Sequence, residues 1–265
     1  MRGLSGKVAI VTGGAAGIGR AIMERLCQEG VSVTFSGISD GGIATEQECL
    51  KKGYAVQFIR GDMADEAFCR RLVEQALAKW GKIHFLVNNA FSFTAKGLDA
   101  TREDWLRTFN VGPVAYATMG QLVTEPMKQQ GGGSIVNLSS ISAHIAQPNR
   151  WTYNAAKGAV NQLTRCMALD LAAANIRVNT VSPGWIWTRE VDKAANYDRA
   201  KWGPIWGKFH MLRRLGEVEE CAAPVAFLLS DEASFITATE IMVDGGYCGL
   251  GSEGLGEASS FAGSA

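Results

Sequence analysis

The chain has 265 residues, and its 26 Lys and Arg residues balance its 26 Asp and Glu residues. This balance leaves no global field that would draw the protein to nucleic acid or acidic lipid. No apolar stretch approaches the roughly 20 residues that span a bilayer, and the first residues lack a secretory apolar run. We therefore expect a single-domain cytoplasmic enzyme with a small-molecule substrate and with neither nucleic acid nor membrane as partner.

Apolar strands and helical stretches alternate along the whole chain. Strands are predicted at 7–11, 31–36, 55–59, 83–87, 135–138, 176–181 and 241–243, and helices at 18–29, 65–80, 102–130, 152–174 and 217–229. This alternation favours an α/β fold, a single-domain Rossmann-type doubly wound parallel sheet of about seven strands with helices on both faces. The domain is assigned to residues 1–248, and a Gly- and Ser-rich tail to 249–265.

The first predicted strand runs directly into a glycine-rich turn and then into a helix. Gly13 allows a tight turn, Gly17 lets backbone amides approach a pyrophosphate, and Gly19 lets the helix pack closely on the strand. The N-terminus of that helix then favours an anion. Because strand, turn and helix occur in the required order, the segment predicts a dinucleotide site rather than a loop without a ligand.

Tyr153 and Lys157 stand four residues apart within the helix predicted at 152–174, and Ser140 precedes Tyr153 by thirteen residues. On a helix, this spacing puts the phenol and the ammonium on one face. A nearby ammonium favours the phenolate, so we expect the pKa of Tyr153 to lie below its ordinary value of about 10. The pair predicts a proton-transfer device, although alone it also fits a helix with an exposed Lys and a half-buried Tyr.

Together these motifs resemble the short-chain dehydrogenase/reductase family, and the match covers nearly the whole chain. The resemblance implies a catalytic set of Asn110, Ser140, Tyr153 and Lys157. It also implies that NAD or NADP binds against Thr12, Gly13, Gly17, Ile18, Gly19, Gly37, Ile38, Asp62, Met63, Asn89, Ala90, Tyr153, Lys157, Pro183, Gly184, Ile186 and Thr188.

The resemblance implies a role for each member of the catalytic set. Tyr153 would be the general acid in carbonyl reduction and the base in alcohol oxidation. Lys157 would favour the phenolate and hydrogen-bond the nicotinamide ribose, and Ser140 would orient the substrate oxygen. Asn110 would bend its helix and hold a water in a proton relay to Lys157. The implied function is an oxidoreductase that interconverts secondary alcohols and ketones, with the hydride supplied by the cofactor.

The helix predicted at 152–174 has an apolar surface broader than one stripe, so it needs burial on two sides. Its own sheet supplies one side. The homodimer or homotetramer usual in the family would supply the other, and complete burial within one chain is the alternative.

Two residues depart from the family pattern. Phe91 follows Asn-Asn-Ala where the family usually has Gly, which places a bulky ring beside the cofactor cleft and the substrate entrance. Gly37 stands where an NAD-specific site has Asp or Glu for the ribose 2′-hydroxyl.

The segment around Gly37 leaves the choice between NAD and NADP open. Ser36 and Ser39 offer hydroxyls to a 2′-phosphate, but neither Ala16 nor Ile38 supplies a basic partner. Asp40 is interpreted as a helix cap rather than a ribose ligand. We expect weak discrimination between the two cofactors.

A mobile substrate lid is predicted at about 188–214, because this segment follows Thr188 and is rich in aromatic residues. The candidate substrate residues are Phe91, Phe93, Ser142, His144, Asn149, Trp151, Trp185 and Trp206. Aromatic walls favour a cyclic or aromatic ketone or its secondary alcohol. The alternatives are an aldose, which stacks on Trp and bonds to polar groups, and a lid in which the aromatics only pack together.

Other classes of protein fit the pattern less well. A non-catalytic dinucleotide sensor needs no complete catalytic set, and an epimerase of the extended relatives would need an added C-terminal domain. An enoyl reductase of the divergent relatives would have its Lys seven residues after Tyr rather than four. The three histidines are far apart and the six cysteines form no CxxC pair, so no metal is expected. Reduced core residues are predicted at Cys27, Cys69, Cys166 and Cys221.

Overall fold

The fold is one parallel sheet of seven strands, seen in a computed structural model that describes residues 1–251 and 254–255. The strands are β1 (Val8–Val11), β2 (Ser32–Gly37), β3 (Val56–Arg60), β4 (Phe85–Asn88), β5 (Gly133–Leu138), β6 (Ile176–Pro183) and β7 (Glu240–Val243). Their order is β3-β2-β1-β4-β5-β6-β7, so the direction of winding reverses between β1 and β4. Open α/β sheets bind ligands at such a reversal. The predicted fold class is confirmed, and the rest of the predicted tail lies outside the described residues.

Helices cover both faces of the sheet. They are α1 (Gly17–Gln28), α2 (Gly41–Lys51), α3 (Glu66–Trp80), α4 (Arg102–Phe109), α5 (Ala115–Gln129), α6 (Trp151–Leu171), α7 (Arg189–Ala194), α8 (Arg199–Gly207) and α9 (Val218–Leu229). Successive strand residues point to opposite faces. Ile10 and Leu86 therefore lie in the core beneath α3, α5 and α6, whereas Val11 and Val87 lie in the core beneath α1 and α9.

The helix predicted at 102–130 is broken in the middle. A π turn at Asn110–Val114 separates α4 from α5, and Gly112 within it has φ −89° and ψ −114°. Pro113 lacks a backbone N–H and cannot continue the hydrogen-bond ladder. The lid helices α7 and α8 are not among the predicted helices, because these short segments lack a clear apolar stripe.

The cysteine prediction is correct at three positions and wrong at the fourth. Cys27, Cys69 and Cys221 are buried, whereas Cys166 is exposed on the outer face of α6. Burial raises the pKa of Cys27 and of Cys221 to about 12, so neither thiol is ionised near neutral pH.

Neither a metal site nor a membrane span is present in the described part of the chain. No group of three or more His, Cys, Asp or Glu side chains is placed to hold a metal ion there. No described helix is long and apolar enough to cross a membrane. His84 has a structural role, since its Nδ1 accepts a hydrogen bond from the Val8 amide at 3.1 Å.

Candidate active site

The glycine turn between β1 and α1 is shaped by close backbone contacts. Gly13 and Gly17 have φ of +67° and +54°, a region that disfavours other residues. A Cβ at Gly19 would lie only 2.2 Å from the Gly13 carbonyl oxygen. Ala16, the N-cap of α1, offers no side-chain acceptor to the first amides of the helix. An anion is the partner that such an uncapped helix start favours.

The turn is fixed to the end of β4 by a reciprocal pair of side chains. Thr12 Oγ1 accepts hydrogen bonds from the Asn89 and Ala90 amides at 3.0 and 3.1 Å. Asn89 Nδ2 in turn donates to the carbonyl oxygens of Thr12 and Gly13 at 3.0 and 3.2 Å. Both side chains thus have partners within the protein, and direct contact of either with a cofactor stays a prediction.

Asp62 follows β3 and is paired with a residue of α4. Its carboxylate accepts a hydrogen bond from Arg107 at 2.6 Å and one from the Ala64 amide at 3.0 Å. Burial alone would raise the pKa of Asp62, but these two donors hold it below its ordinary value. Met63, the next residue, is buried. No local pattern in the sequence indicates the pairing with Arg107.

Two expectations for the strand end near Gly37 are wrong. They concern the hydroxyl of Ser36 as a phosphate ligand and the side chain of Asp40 as a helix cap. Ser36 is 1 % exposed, and its Oγ accepts a hydrogen bond from the Gly13 amide at 3.3 Å, so this hydroxyl does not face solvent. Ser39 is exposed, as is Ile38. Asp40 does occupy the N-cap position of α2, yet its side chain makes no cap hydrogen bond.

Instead, Asp40 pairs with a basic residue that is absent from the sequence-based prediction. Arg60 Nη1 lies 2.6 Å from Asp40 Oδ1. Arg60 is the last residue of β3 and lies opposite Gly37 in the register of the sheet. A guanidinium therefore stands beside the strand end where a 2′-phosphate partner is otherwise lacking.

Ser140, Tyr153 and Lys157 meet at the carboxyl end of β5. Tyr153 is buried on the first turn of α6, close enough to Ser140 for that hydroxyl to lower the pKa of the phenol, and Ser140 Oγ accepts a hydrogen bond from the Ser142 amide at 3.1 Å. Lys157 lies one turn further along the helix and is 3 % exposed. Its Nζ donates to the Leu138 carbonyl oxygen at 2.8 Å. The three side chains thus lie together at this strand end, and their catalytic roles stay predictions.

The expected pKa of Tyr153 is wrong for this structure. Burial raises it above its ordinary value, and the Ser140 hydroxyl and the charge of Arg150 offset this only in part. Burial also lowers the pKa of Lys157 to about 7, so its ammonium is itself disfavoured. Lys157 Nζ lies 5.7 Å from the centre of the Tyr153 ring. Desolvation of both groups therefore outweighs the attraction that the helical spacing suggests.

Phe91 lies beside the cleft, against the catalytic pair. Its ring centre is 3.8 Å from Lys157 Nζ and 5.2 Å from the centre of the Tyr153 ring. A Cβ at Gly112 would lie 2.5 Å from the Phe91 ring, so the π turn makes room for it. Phe93 packs on Tyr153 as well, with ring centres 4.8 Å apart. The phenol is thus walled by two aromatic rings.

Asn110 is the first residue of the π turn, and its side chain is exposed. The backbone of Asn110 is itself helical, and the bend predicted there lies two residues further on, at Gly112. Within residues 1–251, no hydrogen bond joins Asn110 to Lys157. The water relay stays a prediction.

The loop between Ser140 and Tyr153 contains four of the candidate substrate residues. Ser142 Oγ donates to Gln147 at 2.7 Å, and Trp151 is 52 % exposed. Asn149 adopts φ +56°, a conformation that Asn tolerates, at the turn before α6. His144 Nε2 lies 2.7 Å from Glu240 Oε1, which directs the imidazole toward β7.

Arg150, in the same loop, is a second basic residue that is absent from the sequence-based prediction. Its guanidinium carbon lies 5.8 Å from the centre of the Phe93 ring. The residue is partly exposed and immediately precedes α6.

The lid starts close to the glycine turn. Gly184 packs so tightly that a Cβ there would lie 2.8 Å from Asp244 Cα, and Ile186 bridges to Gly216. Thr188 caps α7 by accepting from the Val191 amide at 3.4 Å. A Cβ at Gly17 would be 3.8 Å from Thr188 Cγ2, which places the start of the lid beside the anion-favouring turn.

Much of the aromatic surface of the lid packs on itself. The Trp206 ring lies 5.3, 6.0 and 5.0 Å, centre to centre, from those of Trp185, Trp187 and Trp202. Trp187 also stacks under the Arg199 guanidinium. The packing alternative for these residues is thus realised, and substrate contacts of Trp185 and Trp206 stay predictions.

The residues present fit a nicotinamide dinucleotide. The glycine turn leaves no space for side chains at Gly13 or Gly19, and the start of α1 lacks an internal cap. At the far end of the cleft stand a phenol, a hydroxyl and the amino group of a buried lysine, which suit proton transfer to a carbonyl oxygen.

Comparison with known proteins agrees with this geometry. A family model described as enoyl-(acyl carrier protein) reductase matches residues 13–248. Cyclopentanol dehydrogenase of Comamonas testosteroni is 37 % identical over 246 residues, which cover 91 % of this chain and 96 % of that protein. The NADP-dependent (R)-specific alcohol dehydrogenase of Lentilactobacillus kefiri is 36 % identical over 250 residues, covering 92 % and 97 %.

A solved structure extends the likeness to three dimensions. Aldohexose dehydrogenase of Thermoplasma acidophilum, in ligand-free form, superposes with a TM-score of 0.85 at 34 % identity, covering 94 % of this chain and 96 % of that one. The chain belongs to the short-chain dehydrogenase/reductase family and is an NAD(P)-dependent oxidoreductase that acts on alcohols and ketones.

Proposed function

We propose that the protein interconverts a cyclic secondary alcohol and its ketone, with Tyr153 as the proton donor and acceptor. The observation that carries the proposal is the environment of Tyr153. Its phenol lies beside the Ser140 hydroxyl and is flanked by the rings of Phe91 and Phe93. Aromatic side chains of this kind pack against an apolar ring of the substrate. The hydroxyls of Ser140 and Tyr153 then hydrogen-bond to the alcohol or ketone oxygen, the one polar atom of that substrate.

The proposed reduction divides the work between these side chains. The Ser140 hydroxyl donates a hydrogen bond to the ketone oxygen and stabilises the charge that develops there. When bound, a reduced nicotinamide would supply the hydride, and Tyr153 would donate its proton to the substrate oxygen. The raised pKa of Tyr153 keeps the phenol protonated near neutral pH, which suits its role as an acid. Oxidation follows the same path in reverse.

An aldose is the second candidate substrate. The likeness to an aldohexose dehydrogenase supports it, as do the polar residues of the loop before α6. The rings of the lid favour it less, because Trp206 already packs against three other indoles. A sugar would need an open aromatic face and several polar partners.

For the cofactor, we propose that both NAD and NADP bind, with weak discrimination. No carboxylate stands at Gly37 to select the ribose 2′-hydroxyl. Arg60 offers a guanidinium for a 2′-phosphate, but Asp40 already pairs with it at 2.6 Å and would have to release it. These opposing features support a modest preference.

Assembly of the chain into a homodimer or homotetramer is also proposed. Leu169 on α6 is 78 % exposed, and Leu106 on α4 is 49 % exposed. Apolar side chains on these two helices suit burial against a second copy.

The decisive experiment is a substrate panel run with both cofactors. Cyclopentanone, cyclohexanone and free aldoses are compared by the absorbance of the reduced nicotinamide, for the native protein and for Tyr153→Phe. We expect ring ketones to be reduced and the substitution to lower kcat by about 10² to 10⁴. Tyr54→Phe, which removes a hydroxyl far from Ser140, is the matched control. Aldose turnover without reaction or inhibition by ring ketones contradicts the substrate proposal, and near-normal kcat in Tyr153→Phe contradicts the mechanism.

A further inference from the structure

Arg150 places a positive charge next to the wall of the catalytic pocket. It is the residue immediately before α6, three positions ahead of Tyr153. Its guanidinium carbon lies 5.8 Å from the centre of the Phe93 ring, and that ring centre lies 4.8 Å from the centre of the Tyr153 ring. One aromatic ring therefore separates the cation from the catalytic phenol.

The charge is close enough to act on the hydroxyls around it. It lowers the pKa of Tyr153 and that of Tyr247, opposing in each case the larger effect of burial. Tyr247 itself stacks edge-on with Phe209 and His210 at the end of the lid. The Arg150 charge thus reaches both Tyr153 on α6 and Tyr247, which packs against the end of the lid.

This guanidinium has no counter-ion within residues 1–251 and 254–255. Three other arginines show what such a pairing looks like: Arg107, Arg199 and Arg214 each have a carboxylate oxygen at 2.6 Å. The only aromatic or ionic contact of Arg150 in the same part of the chain is the Phe93 ring. A cation–π contact at a partly exposed site is worth little beside a bidentate pair with an anion.

We propose that the substrate carries a carboxylate, which Arg150 binds beside the pocket while its alcohol or ketone group reaches Ser140 and Tyr153. The inference rests on the proposed function, since it adds an acid group to the cyclic alcohol or ketone. The flat, fixed fork of a guanidinium matches a carboxylate better than an ammonium does. The Phe93 ring would hold that fork in place without competing for its N–H groups.

The test compares an acid with its neutral analogue. The rates of reduction of 4-oxocyclohexanecarboxylate and of its methyl ester are measured with native protein, Arg150→Gln and Arg150→Lys. We expect kcat/KM to favour the acid by about 10- to 100-fold in the native protein, since hydrogen bonds to charged groups have this effect. Arg150→Gln abolishes the preference, Arg150→Lys keeps part of it, and added salt weakens it.

Arg165→Gln is the matched control, because Arg165 lies further along α6, where it is exposed and remote from Tyr153. We expect this variant to keep the native ratio of kcat/KM for the acid to kcat/KM for the ester. An identical ratio in native protein and Arg150→Gln overturns the inference while leaving the proposed function intact.

A binding experiment separates the two proposals completely. Calorimetric titration of the cofactor-loaded protein with cyclohexanecarboxylate and with cyclohexanecarboxamide requires no turnover. Preference for the acid that disappears in Arg150→Gln supports the carboxylate site, even if neither ketone is reduced and the proposed function fails. Equal affinity for acid and amide in the native protein overturns the inference.

Discussion

The two ends of the cleft are built from different materials. At the pyrophosphate end, the shape is set by backbone: Gly13 and Gly17 adopt positive φ, and Gly19 lies against a carbonyl oxygen. At the catalytic end, the shape is set by side chains, with Phe91 and Phe93 packed around Tyr153. A site made of backbone cannot change without moving the chain, whereas a site made of side chains changes by substitution. The same fold can therefore hold one cofactor and serve many substrates.

The largest effect on cofactor binding is expected from a single methyl group at the pyrophosphate end. In Gly19→Ala the new Cβ would lie 2.2 Å from the Gly13 carbonyl oxygen, so the turn must shift. Overpacking of this kind costs about 1–3 kcal/mol, and we expect reduced cofactor to bind about 10- to 100-fold more weakly. Titration followed by the quenching of tryptophan fluorescence measures the effect.

Gly158→Ala is the control for this prediction. Gly158 lies on α6, where a Cβ would have no neighbouring atom within 4 Å, and Ala favours a helix by about 0.5–1 kcal/mol over Gly. We expect it to raise Tm slightly and to leave cofactor affinity unchanged. Equal affinities in native protein and Gly19→Ala would show that the turn is not held by its backbone.

A smaller effect on cofactor binding is expected from substitution of Arg60, a side chain at the cofactor end of the cleft. Arg60→Gln removes the guanidinium that lies opposite Gly37 in the sheet and frees Asp40. We expect NADPH to bind about tenfold more weakly while NADH binding changes little, because only the 2′-phosphate needs the charge. Titration with both cofactors checks this, with the exposed Arg70→Gln as control. A preference of the native protein of about a thousandfold for either cofactor would contradict weak discrimination.

The smallest expected effect is a change in Tm, caused by substitution of Lys157 at the catalytic end of the cleft. Lys157 is buried, and its pKa is lowered to about 7 from 10.5. An unfolded Lys binds its proton up to about pH 10, so the buried side chain destabilises the fold below pH 7, and this effect fades as pH rises toward 10. Lys157→Met should raise Tm by a few degrees at pH 7 and abolish most activity, even though the Leu138 carbonyl loses a donor.

The pH dependence provides the control for that experiment. The difference in Tm between Lys157→Met and native protein should shrink between pH 7 and pH 10, where the native Lys is neutral in the fold. A variant that is less stable than native protein at every pH would show that the hydrogen bond to Leu138 outweighs desolvation.

How much the sequence predicts differs between the two ends as well. The glycine turn joins one strand to the next helix, and Tyr153 and Lys157 stand one turn apart on a single helix, so local spacing predicts both. Arg60 and Arg150 are not, because their partners come from distant segments that no local pattern connects. The predicted direction of the Tyr153 pKa shift is wrong, since spacing reports which groups are near but not how far water is excluded.

The hydrogen bonds that link Thr12 to Asn89 have a consequence for the order of folding. They join residues 77 positions apart, and β1 gains its second neighbour, β4, only after three helices and two strands have been synthesised. A nascent chain that ends before β4 contains every glycine of the turn yet lacks the strand against which the turn is shaped. Non-local pairing of this kind is slow to form. Cofactor affinity should therefore arise late, after β4 docks, and a stalled chain would not be rescued by the cofactor.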